Sequence, residues 1–250
     1  RLAALANREL TAERRDTAAY REYIELWIHE AKTPIAASKL VLSRMGGPEA
    51  DALERELERM EDQVEQALYY ARSTSLSSDY AIRAVDLGQA AREACKRHAR
   101  FLIERQAIPA VRIPEGQTVL ADQPWLVFML GQVAVNAAQY GARTIAFTSE
   151  VLDEGTPHGR TVLQVADDGC GIPAADVPRV FDRAFTGTNG RARPGATGMG
   201  LHLVANLCAQ LGLGVQIASE EGRGTRVLFT FPHDRRRLGE GRPAAGAPRP

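Results

Sequence analysis

The 250-residue sequence contains neither a long apolar run nor a pair of cysteines with metal-ligand spacing. A membrane helix needs about 20 mostly apolar residues, so none is expected within it. Cys95, Cys170 and Cys208 form no CxxC motif, which argues against a zinc site or a disulfide framework and favours a reducing compartment. The formal net charge of zero excludes the strongly basic surface typical of nucleic-acid binding.

The first ten positions do not predict a signal peptide, because charged residues interrupt them where an apolar segment would be expected. The sequence begins with Arg1 rather than methionine, and we expect it to be a soluble fragment of a longer protein. No GxxxxGK[ST] motif is present, so a Walker-type phosphate loop is not predicted.

The first third of the chain predicts a helical hairpin. Residues 1–45 have the apolar spacing of one long helix, and "GGPEA" at 46–50 separates it from a second. The second helix carries a heptad seam of apolar residues: Leu53, Leu57, Met60, Val64, Ala67 and Ala71. One hairpin cannot bury such a seam alone, whereas two hairpins form a four-helix bundle. We therefore expect a two-fold homodimer.

The remainder of the chain predicts a second domain. After the Ser-rich stretch 72–80, short β-like runs alternate with helical stretches at 87–105, 123–140 and 199–212. This order predicts an α+β protein in which the hairpin (1–74) precedes a two-layer α/β sandwich (75–233). Residues 234–250 are rich in Arg, Pro, Gly and Ala and are expected to form a disordered basic tail.

A polar stripe marks the helix predicted at 123–140. Gln132 and Asn136 lie one turn apart on one face, followed by Gln139 and Tyr140. Amide oxygens are adequate ligands for Mg²⁺ when substrate phosphates complete its shell. The alternative is a helix that simply turns a polar face to solvent.

Two glycine-rich segments follow. In "DDGCGIP" (167–173) a β run ends in two aspartates and breaks into Gly-x-Gly, which lets the backbone approach a ligand closely. An aspartate there can accept a hydrogen bond from an amine such as that of adenine, although a plain Asp-Gly turn has the same sequence. We interpret the segment 181–195 as a lid that closes over a nucleotide, with Arg191 and Arg193 contacting phosphate oxygens. The alternative is a disordered surface loop. A Gly-rich turn then opens the last helix, whose free N–H groups favour an anion.

The order of these features resembles the nucleotide-binding fold shared by histidine kinases, Hsp90, type II topoisomerases and MutL. "HEAKTP" at 29–34 resembles the phosphoacceptor box of sensor histidine kinases, and the resemblance extends from about residue 11 to 232. The segment "FTGTNGR…TGMGL" is similar to the corresponding segment of a narrower group of histidine kinases. These are intramembrane-sensing kinases that respond to cell-envelope stress and peptide antibiotics beside an ABC transporter.

The resemblance implies an ATP-dependent kinase with Mg²⁺ as cofactor and a response-regulator receiver domain as partner. His29 would be the phosphorylated residue, Glu30 the base that accepts its proton, and Thr33 the residue that positions water for a phosphatase activity. Asn136 would hold Mg²⁺ together with Gln132. Further residues implied at the ATP site are Gln139, Tyr140, Asp167 for the adenine amine, Gly169, Gly171, Ile172, Phe181, Arg191, Thr197, Gly198, Met199, Gly200, Leu201 and Thr225. The chain would be the cytoplasmic portion of a membrane-anchored sensor.

Two departures from the family's sequence pattern leave alternative functions open. Gln132 replaces a common Asn, and Gln139 stands where a Lys is common, which is compatible with a pseudokinase that serves as a dimeric scaffold. An ATPase of the same fold is a second alternative, although it would lack the hairpin. Pro34 removes an N–H from the helix next to His29, and we interpret it as a possible hinge.

Overall fold

The computed structural model describes residues 23–24, 26–73, 80–191 and 197–234. The chain divides into two compact units, Arg1–Asp79 and Tyr80–Pro250. The predicted signalling helix before residue 23, most of the Ser-rich stretch and nearly all of the predicted tail lie outside the described residues. In the described ranges, no helix combines the length and the apolarity that a membrane crossing requires.

The first unit is the expected helical hairpin. Helix α1 covers residues 26–42 and α2 covers Pro48–Ser73, and Gly47 between them has a φ of +110°. The Lys39 ammonium lies 2.5 Å from the Glu61 carboxylate and joins the two helices. The α2 seam is partly open, since Leu53 and Met60 are 55% and 50% exposed. The seam residues at these two positions are thus not buried within one chain.

The second unit contains five α-helices and seven strands among its described residues. The helices are α3 (Leu87–Arg97), α4 (Ala99–Glu104), α5 (Gln123–Gln139), α6 (Gly187–Arg191) and α7 (Gly200–Leu211). The strands are β1 (Arg83–Asp86), β2 (Ile108–Arg112), β3 (Thr118–Ala121), β4 (Thr144–Leu152), β5 (Arg160–Asp167), β6 (Gly214–Glu220) and β7 (Gly224–Pro232). Each β-like run of the sequence overlaps one of them, so the predicted α+β architecture is confirmed.

A mixed five-stranded sheet forms one layer of this unit. Its order is β2-β4-β5-β7-β6, with β2 parallel to β4 and the other neighbours antiparallel. Strands β1 and β3 form a separate antiparallel pair. In β5 and β7 every second residue is buried, which is the pattern of a sheet with one covered face. Phe147, Phe229 and Phe231 are at most 1% exposed and lie in this core.

The helix layer is centred on α5, which packs against α3, α7, β4 and β5. Asp122 begins α5 by accepting a hydrogen bond from the Trp125 N–H at 3.0 Å, and Pro124 occupies the first turn. Twelve of the 17 residues of α5 are buried, because the sheet and the helices α3 and α7 pack against it. Of its polar stripe, Gln132 is buried, where a polar side chain requires a partner, whereas Asn136, Gln139 and Tyr140 are half-buried.

The helix predicted at 87–105 is interrupted at His98. Its φ of −105° and ψ of 21° are not helical, and they separate α3 from α4. The ring is 9% exposed and lies over Gly131 of α5, where a Cβ would be 2.8 Å from His98 Nε2. Gly131 is thus needed for the space it leaves to this ring.

We expect His98 to make the second unit sensitive to acid. Burial, with a smaller contribution from the Arg97 charge, lowers the pKa of His98 from 6.5 to about 4. The unfolded chain therefore binds a proton more readily, and the free energy of unfolding should fall by about 2 kcal/mol between pH 7 and pH 5. Urea denaturation at the two pH values measures this, and His98→Asn should flatten the dependence whereas the exposed His158→Asn should leave it. An unchanged pH dependence in His98→Asn would contradict the assignment.

Candidate functional site

A cleft opens in the second unit where α5, α7, the loop after β5 and the last two strands meet. The space within it is about 730 Å³, which includes solvent at its open mouth. The lining residues are Val133, Asn136, Ala137, Tyr140, Asp167, Gly171, Ile172, Pro173, Asp176, Val180, Phe185, Thr186, Gly187, Leu201, Ile217, Thr225 and Val227. The cleft thus has mostly apolar walls and a few polar groups.

Asp167 is one of two carboxylates that line the cleft, with Asp176, and it lies at the end of β5. Its Oδ1 accepts a hydrogen bond from the Gly169 N–H at 2.8 Å. Burial raises the pKa of Asp167, and the nearby charge of Asp168 adds to this, although N–H groups of Gly169 and Thr225 oppose it. The side chain is therefore a largely desolvated acceptor, as recognition of an amine in an apolar cleft requires.

Glycines allow the backbone around Asp167 to approach closely. A Cβ on Gly224 would collide with the Asp167 carbonyl, and one on Gly171 would collide with the Glu220 carbonyl. Both glycines also have positive φ, +104° and +68°. Gly171 was a candidate from the sequence, whereas Gly224 was not, because only the β5–β7 pairing brings it against Asp167.

The Asp168 carboxylate, unlike that of Asp167, binds backbone N–H groups at the start of β4. Its Oδ1 accepts hydrogen bonds from the N–H groups of Arg143 at 2.6 Å and Thr144 at 2.8 Å. Burial on its own would raise the pKa of Asp168, but these hydrogen bonds outweigh it and lower the pKa. Asp168 thereby ties the start of β4 to the loop after β5. Asp167 was already the candidate from the family resemblance, whereas nothing in the sequence indicated this role of Asp168, because only the fold brings Arg143 and Thr144 against it.

The polar stripe of α5 meets the beginning of α7. A Cβ on Gly200 would lie 2.8 Å from Gln132 Oε1 and 3.8 Å from Asn136 Nδ2, so a side chain at position 200 would displace the end of the Gln132 side chain. The described residues contain no cluster of three or more His, Cys, Asp or Glu side chains suited to a metal. The amide groups of Asn136 and Gln132 fit Mg²⁺ only together with oxygens from a bound phosphate chain.

The lid segment is attached to the cleft at two points. The Phe181 carbonyl lies 2.9 Å from His202 Nδ1 on α7, and Asp176 Oδ2 accepts a hydrogen bond from the Thr188 N–H at 2.9 Å at the start of α6. At the other end, Gly198 has a φ of +67°, and its Cβ would lie 2.6 Å from the Phe185 nitrogen. Arg193 and the side chain of Arg191 lie outside the described residues.

The structure brings many of the candidate residues together. Those that line the cleft are Asn136, Tyr140, Asp167, Gly171, Ile172, Leu201 and Thr225. Gln132 is 7% exposed and lies against Gly200, and Gly169 supports Asp167. Described candidates beyond the lining are Gln139, half-buried near the end of α5, Phe181, Thr197, Gly198 and Met199. Apolar lining residues such as Val133, Ile217 and Val227 were missed, since a buried aliphatic residue has no sequence signal that separates a cleft wall from a core.

The remaining candidates lie on α1 of the first unit. His29, Glu30 and Thr33 are all exposed, and the Thr33 hydroxyl donates a hydrogen bond to the His29 carbonyl at 3.3 Å. Helix α1 continues through Pro34 without interruption. Because Pro34 has no N–H, the Glu30 carbonyl has no helical donor four residues on.

Comparison with known proteins agrees with this geometry. Residues 121–235 match the family model "Histidine kinase-, DNA gyrase B-, and HSP90-like ATPase". The chain is 35% identical to the sensor histidine kinase YxdK of Bacillus subtilis, over 84% of this chain and 64% of that protein. It is 34% identical to the sensor protein BceS of Bacillus subtilis, over 89% of this chain and 66% of that protein. The chain thus spans slightly less than two thirds of these relatives.

Solved structures share the fold. Full-length ShkA in complex with AMPPNP has a TM-score of 0.62 at 24% identity, covering 90% of this chain and 47% of that one. The Acinetobacter baumannii histidine kinase AdeS has a TM-score of 0.56 at 17% identity, covering 82% of this chain and 98% of that one. At these identities the likeness concerns the fold alone.

Proposed function

We propose, on the basis of its similarity to sensor histidine kinases, that the chain binds ATP, phosphorylates itself on His29 and passes the phosphoryl group to an aspartate of a response regulator. The observation that carries this proposal is the pairing of two features in one chain. One is an Asp167-centred cleft bounded by α5, α7 and a lid, and the other is an exposed histidine on a helical hairpin. A related ATPase has no need of the hairpin, which counts against that alternative.

The chemistry at His29 is an in-line phosphoryl transfer. An imidazole nitrogen attacks the γ-phosphorus, the bond to the β–γ bridging oxygen breaks, and phosphohistidine and ADP result. Glu30, the next residue and equally exposed, would take the proton that the imidazole loses. Such a transfer depends on positioning and charge neutralisation more than on covalent assistance.

Bound Mg²⁺ would neutralise charge on the phosphate chain, and we propose that Asn136 and Gln132 hold it. The amide ends of both side chains lie near Gly200 at the beginning of α7. Glycine at position 200 keeps this space free of a side chain, and the unpaired N–H groups at the beginning of α7 favour an anion there. The β- and γ-phosphates are therefore assigned to this end of the cleft, and the base to the Asp167 end.

The proposed partners follow from the first unit. Leu53 and Met60 of α2, together with Trp27 and Val41 of α1, are each at least 49% exposed. Burial of such side chains contributes about 1.5–3 kcal/mol each, so a second hairpin would stabilise the unit, and we propose a homodimeric bundle. The response regulator's receiver domain would use the exposed α1 surface around His29.

A phosphatase activity towards the regulator is proposed for Thr33. Its hydroxyl lies one turn from His29, on the same exposed face of α1, where it could position water against a phosphoaspartate. Pro34 would act as the hinge that changes the presentation of this face. The similarity of "FTGTNGR…TGMGL" to intramembrane-sensing kinases supports a role in the response to cell-envelope stress, with a membrane-anchored sensor part and an ABC transporter as further partners.

The proposal is tested by incubating the chain with γ-labelled ATP and Mg²⁺. An acid-labile, alkali-stable label on the protein, which then moves to a receiver domain, is the expected result. Nucleotide binding without any label would instead support the pseudokinase alternative. No binding at all would contradict the assignment of the cleft.

Asn136→Asp should reduce labelling by about 100-fold or more, because it changes the amide of the proposed metal site and adds a negative charge next to the phosphates. The matched control is Asn206→Asp, on the α7 face that contacts His202. Labelling rates and the dimer mass should be measured together, and the dimer should persist in both variants. Unchanged labelling in Asn136→Asp would mean that the metal site lies elsewhere.

A further inference from the structure

Ser219 has three hydrogen-bonding contacts behind the wall of the cleft. It lies on β6 directly opposite Thr225 of β7. Its Oγ is 2.9 Å from the Ile172 nitrogen, 2.8 Å from the Gly224 carbonyl oxygen and 2.9 Å from Thr225 Oγ1. One hydroxyl thus connects the glycine-rich loop after β5, the β6–β7 hairpin and a side chain that lines the cleft.

The protons of this cluster can be assigned by elimination. The Ile172 N–H can only donate, and the Gly224 carbonyl can only accept, so the single Ser219 proton points to Gly224. The Ser219 proton is therefore not available for the contact between the Ser219 and Thr225 hydroxyls. The proton in that contact must come from Thr225, because two lone pairs at 2.9 Å would repel each other.

This assignment fixes what Thr225 offers to a ligand. Its hydroxyl proton is directed away to Ser219, and its backbone N–H donates to Asp167. Thr225 Oγ1 therefore presents lone pairs to the cleft. Together with the Asp167 carboxylate it forms a wall that accepts hydrogen bonds and donates none.

We propose that Ser219 is a positioning residue for nucleobase selection, because it holds the Thr225 hydroxyl as an acceptor. An acceptor wall favours a purine with an exocyclic amine at position 6, directly or through a bridging water. It disfavours a purine with an oxygen at that position, which would place two acceptors against each other. The inference rests on the proposed ATP binding and adds the basis of its selectivity.

The test compares ADP with IDP, which carries an oxygen in place of the 6-amine, by calorimetry on the whole chain. In Ser219→Ala the Thr225 proton loses its acceptor and can turn towards the cleft, where it can donate to the oxygen of IDP. The ratio Kd(IDP)/Kd(ADP) should then fall by about tenfold relative to wild type. Ser219→Thr keeps a hydroxyl and should retain the wild-type ratio.

Ser149→Ala is the matched control, since this strand hydroxyl contacts Gln117 and should leave the ratio unchanged. Equal weakening of ADP and IDP by Ser219→Ala would overturn the inference, because it would assign Ser219 to the stability of the hairpin alone. If Ser219→Ala does not fold, Thr225→Val is tested instead. This variant removes the acceptor hydroxyl, so its ratio Kd(IDP)/Kd(ADP) must fall relative to wild type. An unchanged ratio overturns the inference. Absence of ADP binding by wild type would overturn the proposed function itself, which is a distinguishable result.

Discussion

Replacing His29 with alanine is expected to reduce phosphoryl labelling of the chain by about a thousandfold or more, since no other group would take the place of the nucleophile. Nucleotide affinity should not change, because the Asp167 cleft belongs to the second unit and His29 to the first. Labelling from γ-labelled ATP and ADP titration by calorimetry measure the two quantities separately.

The control for this substitution is His158→Ala. His158 is also an exposed histidine, but it lies in the loop between β4 and β5, and its loss should leave labelling intact. If His29→Ala still acquires an acid-labile label at the wild-type rate, the phosphoacceptor is another residue. If both variants lose the label, the effect is not specific to α1.

The second large effect is expected at Asp167. Asp167→Asn should weaken ADP binding by about 10- to 100-fold, because the new amide places donors where the base amine needs an acceptor, and leaves a buried polar group unpaired. The raised pKa of Asp167 adds a pH signature. The carboxylate gains a proton as the pH falls, so wild-type affinity should decline at a higher pH than an ordinary aspartate would give, and the variant should lack this decline.

Asp168→Asn is the matched control, one residue away. Its retained Oδ1 can still accept the Arg143 and Thr144 N–H groups, so ADP affinity should stay near that of wild type. A smaller free energy of unfolding is expected, because the charged acceptor makes the stronger hydrogen bonds. Equal losses of ADP affinity in Asp167→Asn and Asp168→Asn would mean that Asp167 does not bind the base directly.

Much of the site could be predicted because its residues stand in short, ordered motifs. The burial period of two in β5 and β7 and the Asp122 cap with Pro124 of α5 are local properties, and the structure has these elements near the predicted positions. The helix predicted at 87–105 was less accurate, since the break at His98 depends on the space above Gly131 of a different helix. A local pattern contains no information about such a neighbour.

The sequence by itself predicted a helical hairpin followed by an α/β unit, the seam of the hairpin and the candidate motif residues, because spacing along the chain decides which side chains share a face. Only the tertiary structure decided that Asp168 bonds to the start of β4, that Gly200 lies against Gln132, and that the Ser219 hydroxyl lies within hydrogen-bonding distance of Thr225. These relations depend on strand register and on helix packing, which join residues up to 68 positions apart, as Gln132 and Gly200 are. Hydrogen bonds and steric fit act over about 3 Å, so they are settled only when the sheet has closed and the helices lie on it.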